Sequence, residues 1–221
     1  MSALDSRFLT YLDCFGQRFS AVGRVRYAVT SPTAACLTLD DKPFVIEVEE
    51  KRDGEPQQHN VEVQYRGGAL TVTPSQLTIA AGDVVVWHAS LATTPPFAVW
   101  GDLENGPFSS MALRQEAFYS HAFGAAGEFR WRDANSGGVE GVVRVRGIDP
   151  NDREACDQWR KELQAGAVVA IEGDRVDPRD VEIVAGQTVF FAVTGSRGLT
   201  ITEDSLAGPV VTDHHMTGAR D

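Results

Sequence analysis

The sequence predicts an all-β protein of two Greek-key β-sandwiches with one connecting helix, and three observations lead to this fold class. Short runs rich in Val, Ile, Thr and aromatic residues alternate with turns rich in Gly, Pro, Asn and Asp, which is typical of β-sandwiches. Two segments of the chain recur at one fixed spacing. A single segment, residues 150–165, carries the periodicity and end signals of a helix.

The repeat has a period of 104 residues. PSQLTIAAGDVVVW at residues 74–87 recurs as PRDVEIVAGQTVFF at residues 178–191. At the same spacing, RFSAVGRVRY at residues 18–27 recurs as AFGAAGEFRW at residues 122–131. A period of this length indicates repeated domains rather than a solenoid, and it has to be recognised before any other feature of the fold.

The repeat divides the chain into one complete unit, over residues 60–147, and two half units. Residues 1–50 match the late half of a unit, and residues 166–221 match the early half. Together the halves contain every strand of a unit, so we expect them to pair as one circularly permuted sandwich whose chain break lies in an exposed loop. The closure could occur within one chain or between chains, giving a swapped dimer or an open fibre.

Alternation of apolar and polar residues predicts the strands in chain order. They are expected at residues 14–19, 24–29, 43–49, 61–65, 69–73, 76–79, 84–88, 97–100, 116–123, 127–133, 141–146, 168–172, 180–184, 188–193 and 199–202. The helix is expected to begin at a cap, Asn151 or Asp152, and to end before Gly166.

Residues 77–87 and 127–145 resemble the cupredoxin family. The first segment is similar to its P-x-x-L-T-V-x-x-G-D-x-V-x-W pattern, and the second to its F-x-x-x-G-x-Y-x-Y-x-C-x-x-H-x-x-M-x-G-x-V-x-V ending. The resemblance implies cupredoxin-like sandwiches. A type 1 copper site needs two imidazoles, a thiolate and an axial thioether, and the family's ligand positions fall on Asp133, Ser136, Val139 and Pro96 or Phe97. We therefore expect no metal and no cofactor.

Charge and cysteine content limit the partners and the compartment. A net charge of −11 and a pI near 4.9 disfavour nucleic acid and anionic membranes, which attract clustered Lys and Arg. No apolar run approaches the roughly 18 residues of a membrane span, and the start has acidic residues where a signal peptide is basic. The widely spaced Cys14, Cys36 and Cys156 fit a reducing compartment. The sequence predicts a cytoplasmic protein.

Two loops are the candidate binding surface. Residues 93–100 form an apolar loop stiffened by proline, and residues 133–138 form a polar loop rich in glycine. Loops at sandwich ends often serve recognition, although the first could simply plug the sandwich and the second could be a tight hairpin. The candidate binding residues are Pro95, Pro96, Phe97, Trp100, Asp133, Asn135 and Ser136.

Histidines are the remaining candidates for chemistry. His88 and His121 lie in predicted strands, where a solvated or hydrogen-bonded side chain is the alternative to a metal ligand. His214 and His215 are adjacent near the C-terminus, and a chelate would need further ligands at fixed spacing. The sequence contains no Ser/His/Asp grouping, phosphate-binding glycine loop or paired-carboxylate motif, so no catalytic residues are predicted.

The sequence thus favours a non-enzymatic binding or structural protein of metal-free cupredoxin-like domains. It would act through protein or ligand contacts at the sandwich end loops, with an unidentified protein partner or by self-association. Two alternatives come from other classes of protein. One is a copper or other metal-binding electron-transfer protein, and the other is an accessory subunit or domain of an enzyme.

Overall fold

The computed structural model describes residues 3–31, 42–104, 106–136, 138–195 and 197–206. The described chain is mostly β-strand, with one α-helix and several sheets, as the sequence predicts. Among these residues, no helix is both long and apolar enough to cross a membrane.

The strands lie close to their predicted positions. The first nine are β1 (Asp13–Arg18), β2 (Gly23–Thr30), β3 (Phe44–Glu49), β4 (Gln58–Arg66), β5 (Ala69–Thr73), β6 (Gln76–Ala80), β7 (Val84–His88), β8 (Ala98–Leu103) and β9 (Gly106–Ser109). The others are β10 (Leu113–Arg114), β11 (Ala117–Ala122), β12 (Gly127–Asp133), β13 (Glu140–Arg146), β14 (Ala167–Glu172), β15 (Arg175–Asp177), β16 (Asp180–Val184), β17 (Thr188–Gly195), β18 (Arg197–Leu199) and β19 (Ile201–Glu203). The helix α1 (Arg153–Glu162) follows β13.

One long sheet runs through the whole molecule. Its eight strands have the order β15-β14-β17-β11-β1-β7-β4-β5. There are two further large sheets, one of five strands, β6-β3-β2-β8-β9, and one of four strands, β16-β13-β12-β19. Neither forms backbone hydrogen-bond pairs with the long sheet, and both pack against it. We call β1 to β9 the first sandwich and β11 to β19 the second sandwich.

Aromatic contacts between sheets form the core of each sandwich. In the first, Trp87 of the long sheet lies 5.8 Å from Phe108 and 5.3 Å from Tyr27, measured between ring centroids. In the second, Trp131 meets Phe191 edge to face at 5.0 Å. All five side chains are buried. Such pairs add to the hydrophobic energy of burial, so they fix how the sheets face each other.

A row of six buried side chains crosses the long sheet from one sandwich to the other. Strand register places Val61, Trp87 and Phe15 side by side in the first sandwich, and Tyr119, Phe191 and Val169 continue the row in the second. Each is 0% exposed. Side chains aligned by register share one face of a sheet, so the two cores are continuous.

Strand pairing differs from the expected division of the chain. Residues 1–50 were expected to complete residues 166–221, but β2 and β3 pair with β8 and β6 of the segment 58–109. Likewise β12 and β13 of the expected complete unit, residues 60–147, pair with β19 and β16. Apart from residues 3–7, each sandwich is therefore built from consecutive strands. The segment 50–57 is a crossover between sheets of one sandwich rather than a linker between domains.

The expected partnership holds for one short segment. Residues 3–7, which we call the N-terminal arm, extend the four-stranded sheet beside β19, with Asp5 opposite Thr202. The Ser6 N–H donates to the Ile201 carbonyl at 2.8 Å, and the Glu203 N–H donates to the Leu4 carbonyl at 2.7 Å. The N-terminal arm thus adds a single β-bridge to the edge of the second sandwich.

The helix begins where the sequence predicts a cap. The Asp152 carboxylate accepts hydrogen bonds from the N–H groups of Glu154 and Ala155, which satisfies two donors that lack helical partners. Trp159 donates its indole N–H to the Ala185 carbonyl at 2.7 Å. The helix therefore packs on the second sandwich, beside the turn between β16 and β17.

Candidate functional site

Phe97 and Trp100 of the predicted apolar loop make packing and hydrogen-bond contacts within the protein. Phe97 is 0% exposed, and its backbone exchanges two hydrogen bonds with Leu9, of 2.8 and 3.0 Å. Trp100 is half-buried, and the Lys42 ammonium lies 4.9 Å from its ring centroid. Pro95 is half-buried and Pro96 is exposed. Phe97 therefore plugs the end of the sandwich, which is the alternative to a recognition role for this loop.

The predicted polar loop closes on itself. Asp133 is buried, and its carboxylate accepts hydrogen bonds from the N–H groups of Thr200 and Asn135 and from the Ser136 hydroxyl. The Asn135 amide donates to the Thr200 hydroxyl at 2.9 Å. The structure thus brings the three predicted residues together, but their polar groups bind the loop to Thr200, the residue between β18 and β19.

A buried polar cluster escaped the sequence analysis. The Asp13 carboxylate accepts hydrogen bonds from the Tyr119 hydroxyl at 2.6 Å and from the Thr10 hydroxyl at 2.6 Å, and it contacts His121 Nδ1 at 2.7 Å. The Tyr119 oxygen in turn accepts from the Asp5 N–H. Asp13, Tyr119 and His121 are almost fully buried. The sequence feature that could have revealed the cluster is the alternation of Tyr119, His121 and Phe123, which places His121 on the core face.

The cluster is closed rather than reactive. Burial and the Asp13 charge raise the pKa of Tyr119 well above its usual range, so the phenol remains a donor at any ordinary pH. Burial also raises the pKa of the neighbouring Cys14 thiol, which disfavours a nucleophilic thiolate. The cluster joins β1 to β11 and holds the N-terminal arm, which is a structural role.

The histidines do not assemble a metal site in the described parts of the chain. His88 lies opposite Cys14 in the sheet, His121 belongs to the buried cluster, and His59 contacts Asp83. No group of three or more His, Cys, Asp or Glu residues is placed to hold a metal there. His214 and His215 lie outside the described residues.

A cleft of about 530 Å³ lies at a place that the sequence does not predict. It lies between the β1–β2 turn, the β8–β9 hairpin and the segment that leads into β11, and none of the seven predicted binding residues lines it. Phe19 and Phe108 form its floor, edge to face at 5.7 Å. Val22 on the turn is 57% exposed, which leaves an apolar side chain at the rim.

Charges of both signs surround this apolar floor. Arg18, Arg24 and Arg114 line the cleft together with Asp102, Glu104 and Glu116. Among the carboxylates, Asp102 forms an ion pair with Lys42. Arg18 and Arg114 form no ion pair with any carboxylate in the described chain. A pocket with an apolar floor and a few polar groups at its rim is the usual form of a small-molecule site.

Fold and cleft together define an all-β protein with a candidate ligand-binding site and no metal-binding group in its described part. Comparison of the chain with protein-family models, with curated proteins and with solved structures gives no match.

Proposed function

We propose that the protein is a non-enzymatic binding protein whose cleft takes a small amphipathic molecule carrying charges of both signs. One observation supports this most strongly: two arginines without ion pairs in the described chain and a glutamate in a left-handed conformation line one cleft above the aromatic pair of Phe19 and Phe108. Such a molecule would place its apolar body against Val22, above the buried Phe19 and Phe108. Its anionic group would lie at Arg18 and Arg114, and its cationic group at Glu116.

Strain at Glu116 supports a role for this residue. Its φ is 64°, a left-handed conformation that no other non-glycine residue adopts in the described chain, and such conformations cost about 1–2 kcal/mol. The backbone is held there because the Glu116 N–H donates to the Val193 carbonyl and its own carbonyl accepts from the Arg18 N–H, each at 3.0 Å. Strain of this kind occurs most often at functional sites.

The Glu116 carboxylate faces the β1–β2 turn. It accepts a hydrogen bond from the Ser20 hydroxyl at 2.8 Å, so it reaches across the cleft from one wall to the other. A carboxylate with one neutral donor keeps acceptor capacity for a cation.

The arginines set the cleft apart from its repeat counterpart. At the spacing of 104 residues, Arg18 and Arg114 correspond to Ala122 and Thr10, which carry no charge. Free guanidinium groups in a protein with a net charge of −11 favour an anionic group on the ligand, because Arg binds carboxylate or phosphate with two parallel hydrogen bonds.

The type of sandwich is part of the proposal. We infer cupredoxin-like Greek-key sandwiches that serve as a metal-free scaffold, in a reducing, cytoplasmic setting. The resemblance of residues 77–87 and 127–145 to cupredoxins supports the scaffold, and so does the equivalent placement of β6–β7 and β16–β17 at the same spacing. The free thiols of Cys14 and Cys156 fit the setting.

A matched series of ligands tests the binding role. L-Phenylalanine, 3-phenylpropionate and 2-phenylethylamine share one ring and differ in carrying both charges, the negative charge or the positive charge. In a titration followed by amide NMR, we expect the zwitterion to bind best and to shift residues 17–25 and 106–116. Signals that stay unchanged with all three ligands at millimolar concentration would refute the proposed ligand class.

Two variants test which cleft residue binds each charged group of the ligand. Arg114→Ala should remove the advantage of phenylalanine over phenylethylamine, and Glu116→Gln should remove its advantage over phenylpropionate. Arg144→Ala, on β13 and outside the cleft, is the matched control and should leave the binding order unchanged.

A further inference from the structure

The N-terminal arm lies at the edge of the second sandwich, at the place that β9 takes in the first. We call this place the slot. In the first sandwich the corresponding edge strand is β9, and Ser110 donates its N–H to the Val99 carbonyl at 2.9 Å while its hydroxyl accepts from the Val99 N–H at 3.2 Å. In the arm, Ser6 makes the same two bonds with Ile201, of 2.8 and 3.2 Å. The two serines are 104 residues apart.

The apolar contact of the slot is also repeated. Phe108 of β9 is 1% exposed, and so is its counterpart Leu4 in the arm. The arm is therefore held in the second sandwich by one β-bridge, at Asp5 and Thr202, and by the buried Leu4 side chain.

β9 and the N-terminal arm differ in how the chain connects them to their sandwiches. β9 follows β8 in a hairpin, whereas the arm is connected to the second sandwich only by way of the first, through Leu9, which is paired with Phe97. Between the arm and Leu9 stands Phe8, which is 37% exposed and whose N–H closes a turn onto the Asp5 carbonyl at 3.1 Å. Opening that turn withdraws Leu4 and the Asp5 N–H from the second sandwich and leaves the first sandwich unchanged.

We propose that the arm is exchangeable: the arm of one chain inserts beside β19 of a second copy, which returns its own arm, giving a closed dimer. Every contact of the slot is made by an identical segment in the exchanged form, so only the Asp5–Phe8 turn changes, and the balance depends on protein concentration. An opened arm of five residues reaches about 17 Å.

The pair Asp5 and Thr202 provides a direct test. The two residues are opposite each other, and hydrogen bonds on either side join Leu4 to Glu203 and Ser6 to Ile201. They therefore form a closely spaced non-hydrogen-bonded pair, which suits a disulfide. Two full-length variants, D5C and T202C, are prepared after replacing Cys14, Cys36 and Cys156 by serine, so that each chain carries a single cysteine.

Exchange predicts a covalent heterodimer when concentrated D5C and T202C chains are mixed, incubated and oxidised, since neither chain can close a disulfide by itself. Thr71 lies in β5 at an outer edge of the long sheet, so D5C mixed with T71C is the matched control and should give only background cross-linking. Equal yields from the two mixtures would overturn the proposal.

Unmodified protein gives a second readout that does not depend on the cysteines. Sedimentation of the full chain should show a dimer fraction that rises with concentration. The double variant D5C/T202C, oxidised as a dilute monomer, locks the arm in its own slot and should stay monomeric when concentrated. A wild-type chain that remains monomeric at millimolar concentration, or a locked variant that dimerises as the wild type does, would equally refute arm exchange.

Discussion

Phe15 and Tyr119 are partners across the antiparallel pair of β1 and β11, and they are also equivalent positions of the repeat, 104 residues apart. Two equivalent residues that face each other in an antiparallel pair are related by a local twofold axis. The axis of the repeat therefore passes between these two rings. Their neighbours Trp87 and Phe191, again 104 residues apart, lie symmetrically on either side.

The core prediction concerns Phe123. Its side chain is 1% exposed and meets Phe129 edge to face at 5.0 Å. Phe123→Ala should lower the free energy of unfolding by about 3–5 kcal/mol, because it leaves a cavity in a packed core. Denaturant titration measures the change. Leu91→Ala, at a side chain 59% exposed, is the control and should change the midpoint little.

The acid prediction concerns Asp83. Burial opposes ionisation, but hydrogen bonds from the N–H groups of Gln57 and Ala80 and from His59 prevail and lower the pKa of Asp83 to about 2. A carboxylate with a lowered folded-state pKa stabilises the protein above its unfolded pKa, near 3.8, and that stability is lost as the pH falls towards 2.

Asp83→Asn should therefore flatten the dependence of stability on pH between about 4 and 2, by an amount on the order of 1 kcal/mol after allowance for screening by solvent. Unfolding in urea at a series of pH values provides the measurement. Asp180→Asn, at an exposed side chain, serves as the control. An identical pH profile for the wild type and Asp83→Asn would contradict the prediction.

The alkaline prediction concerns Tyr119. Its raised pKa means that the folded state keeps the phenol protonated, so this stability is complete below the unfolded pKa, near 10, and is lost as the pH rises above it. Tyr119→Phe should make unfolding above pH 10 less steep. At neutral pH it should cost about 1–3 kcal/mol, because the buried Asp5 N–H and the Asp13 carboxylate each lose a partner. Thermal unfolding across this pH range would show both effects.

The strain prediction concerns Glu116. Glycine adopts its left-handed conformation without steric cost, so Glu116→Gly should raise the free energy of unfolding by up to about 1 kcal/mol. Gln115→Gly, at the preceding exposed residue, should lower it, because there glycine only adds entropy to the unfolded chain. A stabilised Glu116→Gly variant would show that the left-handed conformation of Glu116 carries strain. Destabilisation equal to that of Gln115→Gly would instead show that the conformation carries no strain.

Local features of this fold were accessible from the sequence. Alternation placed the strands, and the cap at Asp152 placed the helix, since these signals lie within a few residues of each other. The pairing of the strands was not accessible. The repeat gives the N-terminal strands β2 and β3 two equivalent sets of partners, one in residues 58–109 and one in residues 166–203, and apolar patterns that are alike cannot distinguish them.

The candidate site was harder to predict than the fold. Phe97 and Asp133 looked available because they lie in loops, but backbone pairing with Leu9 and hydrogen bonds to Thr200 occupy them. The cleft instead combines a turn, a hairpin and Glu116, whose unusual backbone has no signature in the residue type. Contacts between residues about 100 positions apart decide both outcomes.

The continuous long sheet has a consequence for how this chain can be divided. A fragment ending after β9 would leave β1 as an open edge in the middle of an apolar surface, and a fragment starting at β11 would leave the matching edge. Unpaired inner strands of this kind join with one another. Neither half is therefore a portable module, and a gene fusion or truncation that separates them at residues 110–116 should yield aggregates rather than two soluble proteins.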